Sequence, residues 1–391
     1  MGDMGEVSDV DVVVVGGGQS GLAVAYHLHR LGRGRREGER PAPSYVVLDD
    51  HPRPGGAWQD GWDSLHLFSP ASHSSLAGWP MPPWTGEDNP DAAHVARYLT
   101  DYERRYELPV VRPVHVARVE RAAGEVGDRR FRVLADDGRA WTADWVVSAT
   151  GTWARPFWPH VPGMADFRGR QLHTADYRGA SDLAGLRVLV VGGGNSGAQV
   201  AADLLPVARS VTWSTKVPPR MLPDDVDGRV LFETATRAVR DRAAGIAHEG
   251  VGSLGDVVAV PSVRRARDEH GLAAEPMPSR LVGDGAVWPD GTHRPFDAVV
   301  WCTGFRPALR HLSPLGLTTR RGRPATTAVD LPARAGGGTR RSAPVVSVDD
   351  PHVLLVGYGD WCGDASATLI GVNRAARDAV DAIRTASPPT P

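Results

Sequence analysis

Cysteine is scarce in this chain: its 391 residues include only Cys302 and Cys362, and no Cys-x-x-Cys motif occurs. Two cysteines far apart in sequence cannot build a disulfide framework or a cysteine-rich metal cluster. We therefore expect no metal site, and the sequence disfavours a dithiol redox centre.

An excess of charge of one sign is also missing. The 44 Lys and Arg residues and the 46 Asp and Glu residues give a formal net charge of −2. Nucleic-acid binding has no electrostatic support, because a phosphate backbone requires a basic surface. The densest basic stretch, Arg30–Arg40, is interrupted by Glu37 and Glu39, and we interpret it as a solvated loop.

No apolar run reaches the length of a membrane helix, and the acidic segment Met1–Ser8 does not resemble a signal peptide. We therefore expect a soluble, cytoplasmic protein without a membrane partner. Hydrophobic residues make up 41% of the chain, which is sufficient for sizeable cores. The length of the chain indicates two domains.

A strand–loop–helix–strand unit stands near the N-terminus. The valine-rich run Val10–Val15 predicts a strand buried on both faces of a parallel sheet. The loop Gly16–Gly21 follows directly, Leu22–Leu31 has the apolar spacing of a helix, and Tyr45–Leu48 is the next strand. A glycine loop in this setting indicates dinucleotide binding.

The loop itself fits the pattern G-x-G-x-x-G. Its first glycine permits a tight turn, its second lets a pyrophosphate approach the backbone, and its third lets helix and strand pack closely. The helix N-terminus then favours the phosphates. Asp49 ends the next strand and is expected to bind a ribose hydroxyl, with Asp50 as the alternative. The candidate loop residues are Gly16, Gly18, Gln19, Ser20 and Gly21.

The same pattern recurs later in the chain. Arg187–Val191 is a strand, Ala198–Leu205 a helix and Ser210–Trp213 a strand. No acid ends that last strand, so a second nucleotide with a 2′-phosphate, NADP, is favoured over NAD. The candidate residues are Gly192, Gly194, Asn195, Ser196 and Gly197 in the loop, and Ser214, Thr215, Lys216 and Arg220 for the phosphate. Lys216 and Arg220 could instead be ordinary surface charges.

Alternating strands and helices predict an α/β fold with two doubly wound, Rossmann-like domains. The C-terminal strand and helix have no glycine loop of their own and need a sheet to join. We therefore expect a first nucleotide-binding domain of residues 1–155 and 297–391, for an FAD-like or NAD-like nucleotide, with an NADP-binding domain of residues 156–296 inserted in it. The further predicted elements are the strands Val110–Val119, Phe131–Ala135, Trp145–Ser148, Asp297–Cys302 and His352–Val356, and the helix Ala367–Ile383. The stretch Pro218–Met277 contains helical segments but is hard to interpret.

The segment Phe167–Tyr177 fits F-x-G-x-x-x-H-x-x-x-Y and resembles the signature of flavin-containing monooxygenases, the class B flavoprotein monooxygenases. Baeyer–Villiger relatives usually carry Trp where this chain has Tyr177. Four other segments are similar to that family, namely Gly55–Trp58, Ala149–Gly151, Cys302–Phe305 and Gly359–Asp360 with the helix that follows from Ser366. Within the family, three segments resemble bacterial arsenic-operon monooxygenases of the ArsO type, namely Trp79–Pro83, Leu222–Arg229 and Gly357–Trp361.

The resemblance implies FAD and NADP as cofactors and a small-molecule substrate with dioxygen. In the family NADPH reduces FAD, and a flavin C4a-hydroperoxide oxygenates a soft nucleophile such as sulfur, nitrogen or arsenic. The protein then supplies positioning and excludes water. The cofactor-binding residues added in this way are Gly56, Trp58, Val116, Thr150, Gly151, His173, Tyr177, Thr303, Gly304, Asp360 and Thr368.

One departure from the family concerns catalysis. Many members place an Asn near the flavin in the segment that aligns with Ser64–Ala71, and here Phe68 or Ser69 takes its place. His66 and Ser69 are the catalytic candidates, with polar packing as the alternative for His66. Three rival functions stay open: a disulfide or thioredoxin reductase, a flavin redox sensor without turnover, and an NADPH oxidase that releases peroxide. Whether the chain is a monomer or a homodimer is also open.

Overall fold

The computed structural model describes residues 7–33, 41–86, 88–122, 130–224, 226, 230, 234, 257–333 and 338–385. Most of the basic stretch Arg30–Arg40, the end of the segment Leu222–Arg229 and much of Pro218–Met277 lie outside the described residues. The described helices are α1 (Gln19–Arg33), α2 (Ala92–Arg105), α3 (Asn195–Leu204), α4 (Pro261–His270) and α5 (Val372–Thr385). Short 3-10 helices cover Gly56–Asp60, Ala71–His73, Thr174–Asp176, Ala180–Leu183, Arg310–Leu315 and Asp360–Cys362.

The strands, in chain order over the described residues, are β1 (Val7–Asp9), β2 (Val12–Val15), β3 (Tyr45–Leu48), β4 (Val110–Val111), β5 (Val116–Arg121), β6 (Phe131–Ala135), β7 (Ala140–Ala143), β8 (Trp145–Ser148), β9 (Arg170–His173), β10 (Arg187–Val191), β11 (Ser210–Thr215), β12 (Ala274–Pro276), β13 (Arg280–Val282), β14 (Gly285–Val287), β15 (His293–Pro295), β16 (Ala298–Trp301), β17 (Thr319–Arg320), β18 (Arg323–Pro324), β19 (Thr326–Thr327), β20 (Asp330–Pro332), β21 (Thr339–Arg341), β22 (Val346–Ser347) and β23 (Val353–Leu355).

The first sheet has the strand order β19-β22-β23-β8-β2-β3-β4, and its five strands from β23 to β4 are parallel. All four residues of β2 are buried, as expected for a strand that is covered on both faces. The helices α1, α2 and α5 cover one face, where Leu22, Tyr98 and Val372 join a single apolar core. The smaller sheet β1-β7-β6-β5 covers the other face.

The second sheet has the order β12-β11-β10-β16-β9, with all neighbours parallel. Its layers repeat the plan of the first sheet. The helices α3 and α4 pack on one face, and the antiparallel meander β13-β14-β15 packs on the other. In both sheets the carboxyl end of the central strand leads into a glycine loop and a helix, β2 into α1 and β10 into α3.

The strand that follows residue 297 belongs to the second sheet, whereas the expected division of the chain places it in the first domain; the division itself stays a prediction. Strand β16 lies between β10 and β9 in the second sheet, so the chain returns to the first sheet only after Trp301. The physical cause is the carboxylate of Asp297, which accepts hydrogen bonds from the backbone N and from Nε and Nη2 of Arg187 at 2.6–2.9 Å. These bonds hold the start of β16 beside the start of β10 and lower the pKa of Asp297 to about 2.

The element bounds differ from the sequence-based prediction in instructive places. Both helices after the glycine loops begin inside the loops, at Gln19 and Asn195, because the loop backbone already turns as the first helical turn. The predicted strand Val110–Val119 is two strands, β4 and β5, which join different sheets. The final helix begins at Val372, since residues 365–371 form hydrogen-bonded turns instead.

Candidate active site

The first glycine loop leaves no room for side chains at its outer glycines. Gly16 has φ +106°, and a Cβ on it would lie 2.5 Å from the carbonyl oxygen of Ala149. A Cβ on Gly21 would lie 1.8 Å from the oxygen of Gly16, so this glycine permits the close packing of α1. At Gly18 the nearest atom to such a Cβ is 3.8 Å away, on Gly56. The middle of the loop is therefore open to a ligand, as a phosphate cradle requires.

Asp49 is tied to this loop on both of its carboxylate oxygens. The backbone N of Gly17 donates to Oδ1 at 3.1 Å, and Nε of Arg112 donates to Oδ2 at 3.2 Å. Arg112 also binds Glu103 of α2 through Nη1 and Nη2, at 2.5 and 2.7 Å. The alternative, Asp50, is exposed and pairs with a histidine at the surface. Asp49 is therefore the carboxylate that this architecture holds beside the loop.

Gln19 connects the loop to two distant segments. Its Oε1 accepts a hydrogen bond from Nε1 of Trp58 at 3.0 Å, and its Nε2 donates to the carbonyl of Ala367 at 2.8 Å. A Cβ on Gly56 would lie 2.8 Å from the Cα of Gly18, so the segment around Gly56 and Trp58 must approach the loop backbone closely. These contacts bring the Gly-Gly-x-Trp segment and the C-terminal segment to the same end of α1.

Four side chains form a hydrogen-bonded chain beneath the first loop. The hydroxyl of Tyr358 contacts Oγ of Ser148 at 2.6 Å and Oγ1 of Thr150 at 2.7 Å, and it accepts from the backbone N of Thr150 at 3.0 Å. Ser148 also contacts Nε2 of His311 at 3.0 Å. Burial raises the pKa of Tyr358 to about 12 and lowers the pKa of His311 to about 4, so both groups are neutral near pH 7.

The second glycine loop is built on the same geometric plan. Gly192 has φ +145°, and a Cβ on it would lie 2.0 Å from the carbonyl oxygen of Cys302. Nε1 of Trp213 donates to the oxygen of Gly192 at 2.7 Å, while nothing lies within 4 Å of a Cβ at Gly194. The side-chain oxygen of Asn195 accepts from the backbone N of Val258 at 2.8 Å. This second cradle also fits a phosphate group.

Ser214 does not fit the expected role of a phosphate ligand. Its side chain is fully buried, and its hydroxyl donates to the carbonyl of Pro276 at 2.8 Å. Thr215 is also buried, beside Gly193 of the loop. Lys216 and Arg220 are exposed on the segment that follows β11. The candidates that a nucleotide phosphate could reach are thus these two basic residues.

The side chains of the signature histidine and tyrosine are enclosed by protein, and their role in cofactor binding stays a prediction. His173 is fully buried, its Nε2 donates to the carbonyl of Gly304 at 3.1 Å, and its Nδ1 accepts from the backbone N of Ala175 at 3.1 Å. Burial lowers the pKa of His173. The buried hydroxyl of Tyr177 donates to Asp203 on α3 at 2.6 Å. Both residues hold segments around the second loop together.

Four other residues from the resemblance also lie outside the cavity described below. Thr303 donates through Oγ1 to the carbonyl of Phe157 at 2.5 Å, and Gly304 serves as the acceptor for the signature histidine. Asp360 accepts from the backbone N of Ala365 at 3.1 Å, and Thr368 donates to the carbonyl of Ala365 at 2.8 Å. The side chain of Thr303 ties residues 302–305 to Phe157, and those of Asp360 and Thr368 stabilise the C-terminal turns.

A single cavity of about 1930 Å³ extends between the two glycine loops. This volume exceeds the range of roughly 300–1,000 Å³ that is typical of a small-ligand pocket. The sequence-based candidates along its wall are Gly16, Gly18, Gln19, Ser20, Asp49, Gly56, Trp58, His66, Val116, Thr150, Gly151, Asn195 and Ser196. Sequence reasoning missed further lining residues, namely Trp62, Trp153, Gln199, His311 and Tyr358.

The two catalytic candidates differ in position. His66 lines the cavity, and its Nδ1 donates to the carbonyl of Asn89 at 2.7 Å. The neutral ring therefore presents Nε2 as an acceptor, so His66 cannot donate a proton from that nitrogen unless the ring is charged. Ser69 lies outside the cavity wall and contacts the hydroxyl of Ser74 at 3.0 Å, which makes it a loop residue.

Comparison with known proteins identifies the family. A family model described as pyridine nucleotide-disulphide oxidoreductase matches residues 10–330. The chain belongs to this family. It is 47% identical to the flavin-containing monooxygenase from Stenotrophomonas maltophilia, whose structure superposes with a TM-score of 0.79 over 97% of this chain and 99% of that one. This relationship makes it a flavin-containing monooxygenase within the pyridine nucleotide-disulphide oxidoreductases.

Two curated relatives extend the comparison. An uncharacterized oxidoreductase described as CzcO-like, from Geobacillus kaustophilus, is 28% identical over 325 residues, or 81% of this chain and 86% of the relative. An indole-3-pyruvate monooxygenase from Oryza sativa is 32% identical over 229 residues, or 58% and 53% of the two chains. The family relationship confirms the two-domain Rossmann-type fold and the cofactors FAD and NADP. The finer resemblance to arsenic-operon monooxygenases stays a prediction.

The two cysteines of this pyridine nucleotide-disulphide oxidoreductase are unsuited to disulfide exchange. Both are buried and unpaired. Burial raises the pKa of Cys302 to about 12 and also raises the pKa of Cys362, and a protonated thiol is a poor nucleophile. Among the described residues there is no cluster of His, Cys, Asp or Glu that could hold a metal ion, and no helix has the length and apolarity to span a membrane.

Proposed function

We propose that the chain oxygenates a soft heteroatom of a small molecule, sulfur, nitrogen or arsenic, with FAD at the first glycine loop and NADPH at the second. The observation that carries this proposal is the single cavity that reaches both loops. Hydride transfer requires the nicotinamide and the flavin to meet, and a shared cavity allows this. Both thiols are buried, and neither lines this cavity, which argues against a disulfide reductase.

The residues present fit an FAD at the first loop. Gly18 leaves space beside the loop backbone where the pyrophosphate would rest, at the N-terminus of α1. Asp49, held by Gly17 and Arg112, would bind the ribose hydroxyls of the adenosine half. When bound, the reduced flavin supplies the electrons that activate dioxygen and allow one oxygen atom to reach the substrate.

The second loop would hold the dinucleotide NADPH. Gly194 and the N-terminus of α3 offer backbone N–H groups to its pyrophosphate, and Ser196 lines the same cavity. Lys216 and Arg220 are the basic side chains that would attract the 2′-phosphate. The side-chain oxygen of Asn195 already accepts a hydrogen bond from the backbone N of Val258, so this asparagine orders the loop rather than selecting the ligand.

An aromatic wall lies between the two loops and supports a small apolar substrate. The cavity is lined by Trp58, Trp62, Phe68, Trp153 and Phe305, of which Trp153 and Phe305 stack with ring centroids 4.9 Å apart. Such a surface excludes water, and oxygen transfer to a soft nucleophile needs that exclusion more than it needs a strong base. His66 lines the same cavity and could hold a substrate N–H or O–H group through its Nε2 acceptor.

The test is a substrate screen by oxygen consumption. Purified protein should carry a yellow flavin that NADPH bleaches, and sulfides, amines or trivalent arsenicals should stimulate NADPH-dependent oxygen uptake. An oxygenated product formed in proportion to NADPH supports the proposal. Peroxide released in proportion to NADPH under every substrate indicates an oxidase instead, and a colourless protein contradicts the proposal outright.

A second measurement separates the reductase and sensor alternatives. A variant with Cys302→Ala and Cys362→Ala should keep its NADPH consumption, because neither thiol faces the cavity. Loss of turnover in a variant that still folds and binds FAD would favour a disulfide reductase. Absence of steady NADPH consumption in wild-type protein under air would favour a redox sensor.

A further inference from the structure

The buried chain of side chains beneath the first loop has a single consistent set of hydrogen-bond directions. The hydroxyl of Thr150 contacts the carbonyl oxygen of Ala308 at 2.7 Å, and a carbonyl can only accept. Thr150 has thereby used its proton, so the hydroxyl of Tyr358 must donate to it across 2.7 Å. Ser148 must then donate to Tyr358, and the remaining contact, from Ser148 to His311, requires a proton on Nε2 of the histidine.

The opposite tautomer would break this chain. If Nδ1 of His311 carried the proton, Nε2 would be an acceptor, and the hydroxyl proton of Ser148 would be shared between Nε2 and Tyr358. One buried hydrogen bond would be lost, which lowers the stability of the folded state, and buried polar groups are rarely left without a partner. His311 is 5% exposed and Ser148 is 0% exposed, so water does not compensate for that loss.

The Nδ1 atom of His311 is left as a free acceptor. It has no hydrogen-bond partner among the described residues, and it is not completely shielded from solvent by protein atoms. His311 itself lines the cavity, and its Nε2 is turned towards Ser148, so Nδ1 is the ring nitrogen that is left for that space. A neutral imidazole nitrogen without a proton accepts hydrogen bonds and does not donate them.

The position of these hydrogen-bonded side chains indicates which ligand lies beside the Nδ1 acceptor of His311. Thr150 lies against the first glycine loop, because a Cβ on Gly16 would be 3.0 Å from its Cα. Tyr358 follows Gly357, whose Cβ would be 2.0 Å from the hydroxyl of Ser20 in the same loop. The ligand beside His311 is therefore the dinucleotide of the first loop. Its pyrophosphate offers only acceptors, whereas its ribose and ribityl groups offer hydroxyl donors.

We propose that His311 is held as the Nε2–H tautomer and that its Nδ1 accepts a hydrogen bond from a hydroxyl group of the dinucleotide bound at the first glycine loop. This inference rests on the proposed function in one respect, the assignment of FAD to that loop. His311 is then a binding residue, and Ser148, Tyr358 and Thr150 are the positioning residues that fix its tautomer.

Nitrogen-15 NMR of protein labelled at histidine reads this arrangement directly. The signal of His311 is assigned by its loss in the His311→Gln variant. We expect a protonated Nε2 and an unprotonated Nδ1, and we expect the Nδ1 resonance to shift towards a hydrogen-bonded value when FAD is added to the apoprotein. A protonated Nδ1 in the neutral ring, or an Nδ1 resonance that FAD leaves unmoved at saturation, overturns the inference.

Two matched variants test the same point by affinity. His311→Gln keeps an N–H group for Ser148 and loses the ring acceptor, whereas His311→Asn keeps an acceptor near the Nδ1 position and loses the donor to Ser148. We expect His311→Gln to weaken FAD binding roughly tenfold, the loss of about one hydrogen bond, with a near wild-type melting temperature of the apoprotein. His311→Asn should bind FAD within about twofold of wild type and should melt at a lower temperature.

Equal FAD affinity in His311→Gln and wild type contradicts the inference, and so does an affinity loss in both variants that follows their loss of apoprotein stability. These outcomes are distinct from a failure of the proposed function. An apoprotein that does not bind FAD contradicts the function and this inference together, whereas tight FAD binding with an unmoved Nδ1 resonance contradicts only the inference.

Discussion

Arg112 holds Asp49 in place through the carboxylate oxygen that does not contact the first glycine loop. Its Nε lies 3.2 Å from Oδ2 of Asp49, and its other two nitrogens bind both oxygens of Glu103 on α2. All three side chains are nearly buried, with 8–15% exposure. One guanidinium thus pairs with two carboxylates, and the carboxylate beside the first glycine loop is supported from helix α2 through Glu103.

Replacing Arg112 by Met should weaken FAD binding at least tenfold, because Asp49 would lose its orientation and two buried carboxylates would lose their shared cation. FMN has no adenosine ribose, so its weaker binding should change much less. Fluorescence titration of the apoprotein with each flavin measures both constants. A comparable loss for FAD and FMN would show that the substitution damages the whole site.

Arg104→Met is the matched control for this experiment. Arg104 lies on α2 next to Glu103, the helix partner of Arg112, and pairs with Asp101, but its side chain is 80% exposed. Exposed ion pairs contribute little to stability, typically about 0–1 kcal/mol. We therefore expect this variant to bind FAD like wild type, and weaker binding would mean that α2 as a whole, and not Arg112, determines affinity.

The choice between NADPH and NADH should depend on Lys216. Replacing it by Met removes a charge that would face the 2′-phosphate, so the KM for NADPH should rise about fivefold to tenfold while the KM for NADH stays nearly constant. The effect should shrink at high ionic strength, because Lys216 is exposed. Steady-state NAD(P)H oxidation at two salt concentrations measures it.

Ser214→Ala provides the comparison, two residues earlier in strand β11. Its hydroxyl donates to Pro276 and is fully buried, so its loss should lower stability without changing the ratio of the two KM values. A changed ratio in Ser214→Ala with an unchanged ratio in the Lys216 variant would restore the original sequence-based interpretation of Ser214.

The signature tyrosine should matter for stability and not for NADPH binding. Tyr177→Phe removes the hydrogen bond to Asp203 on α3, which should cost about 1–2 kcal/mol of unfolding free energy. Tyr45→Phe is a suitable control, since the buried hydroxyl of Tyr45 has no hydrogen-bond partner among the described residues, and its removal should cost little. Urea unfolding and the KM for NADPH give both readouts, and a raised KM at unchanged stability would indicate a direct nucleotide contact.

Features written in short stretches of sequence were predictable. Val12–Val15 and Arg187–Val191 are apolar runs directly before glycine loops, and the backbone demands of such loops leave few alternatives to Gly16 and Gly192. The position of Asp49 beside the loop followed from the same local logic, because a residue directly after a parallel strand lies at the carboxyl edge of the sheet.

Relationships between distant residues were not predictable in this way. Ser148 and His311 are 163 positions apart, and no spacing rule joins a strand end to a 3-10 helix of another segment. Strand β16 has an apolar pattern that fits either sheet, and the hydrogen bonds that Arg187 donates to Asp297 are long-range contacts that this pattern does not contain. The sequence motif suggests that the signature histidine binds a ligand, because a motif contains no information on burial. In the structure His173 is fully buried and donates to the carbonyl of Gly304.

Acid stability should reveal the neutral state of His311. Its folded pKa is lowered to about 4 from 6.5, so the unfolded chain takes up a proton between these values and the folded chain does not. The contribution of His311 to stability is therefore present above about pH 6.5 and is lost as the pH falls to about 4, by at most about 3 kcal/mol. Below that window both states are protonated and no further loss is expected from this group.

The measurement is the difference in unfolding free energy between pH 7.5 and pH 5.0, by urea denaturation, in wild type and in His311→Gln. Other acid-sensitive groups affect both proteins, so they cancel when the two differences are subtracted. We expect wild type to lose about 2 kcal/mol more than the variant. His115, whose charge also disfavours a proton on His311, calls for a His115→Gln control that should retain most of this excess loss. Identical pH dependence in wild type and His311→Gln would mean that His311 accepts a proton in the folded state as readily as in the unfolded chain.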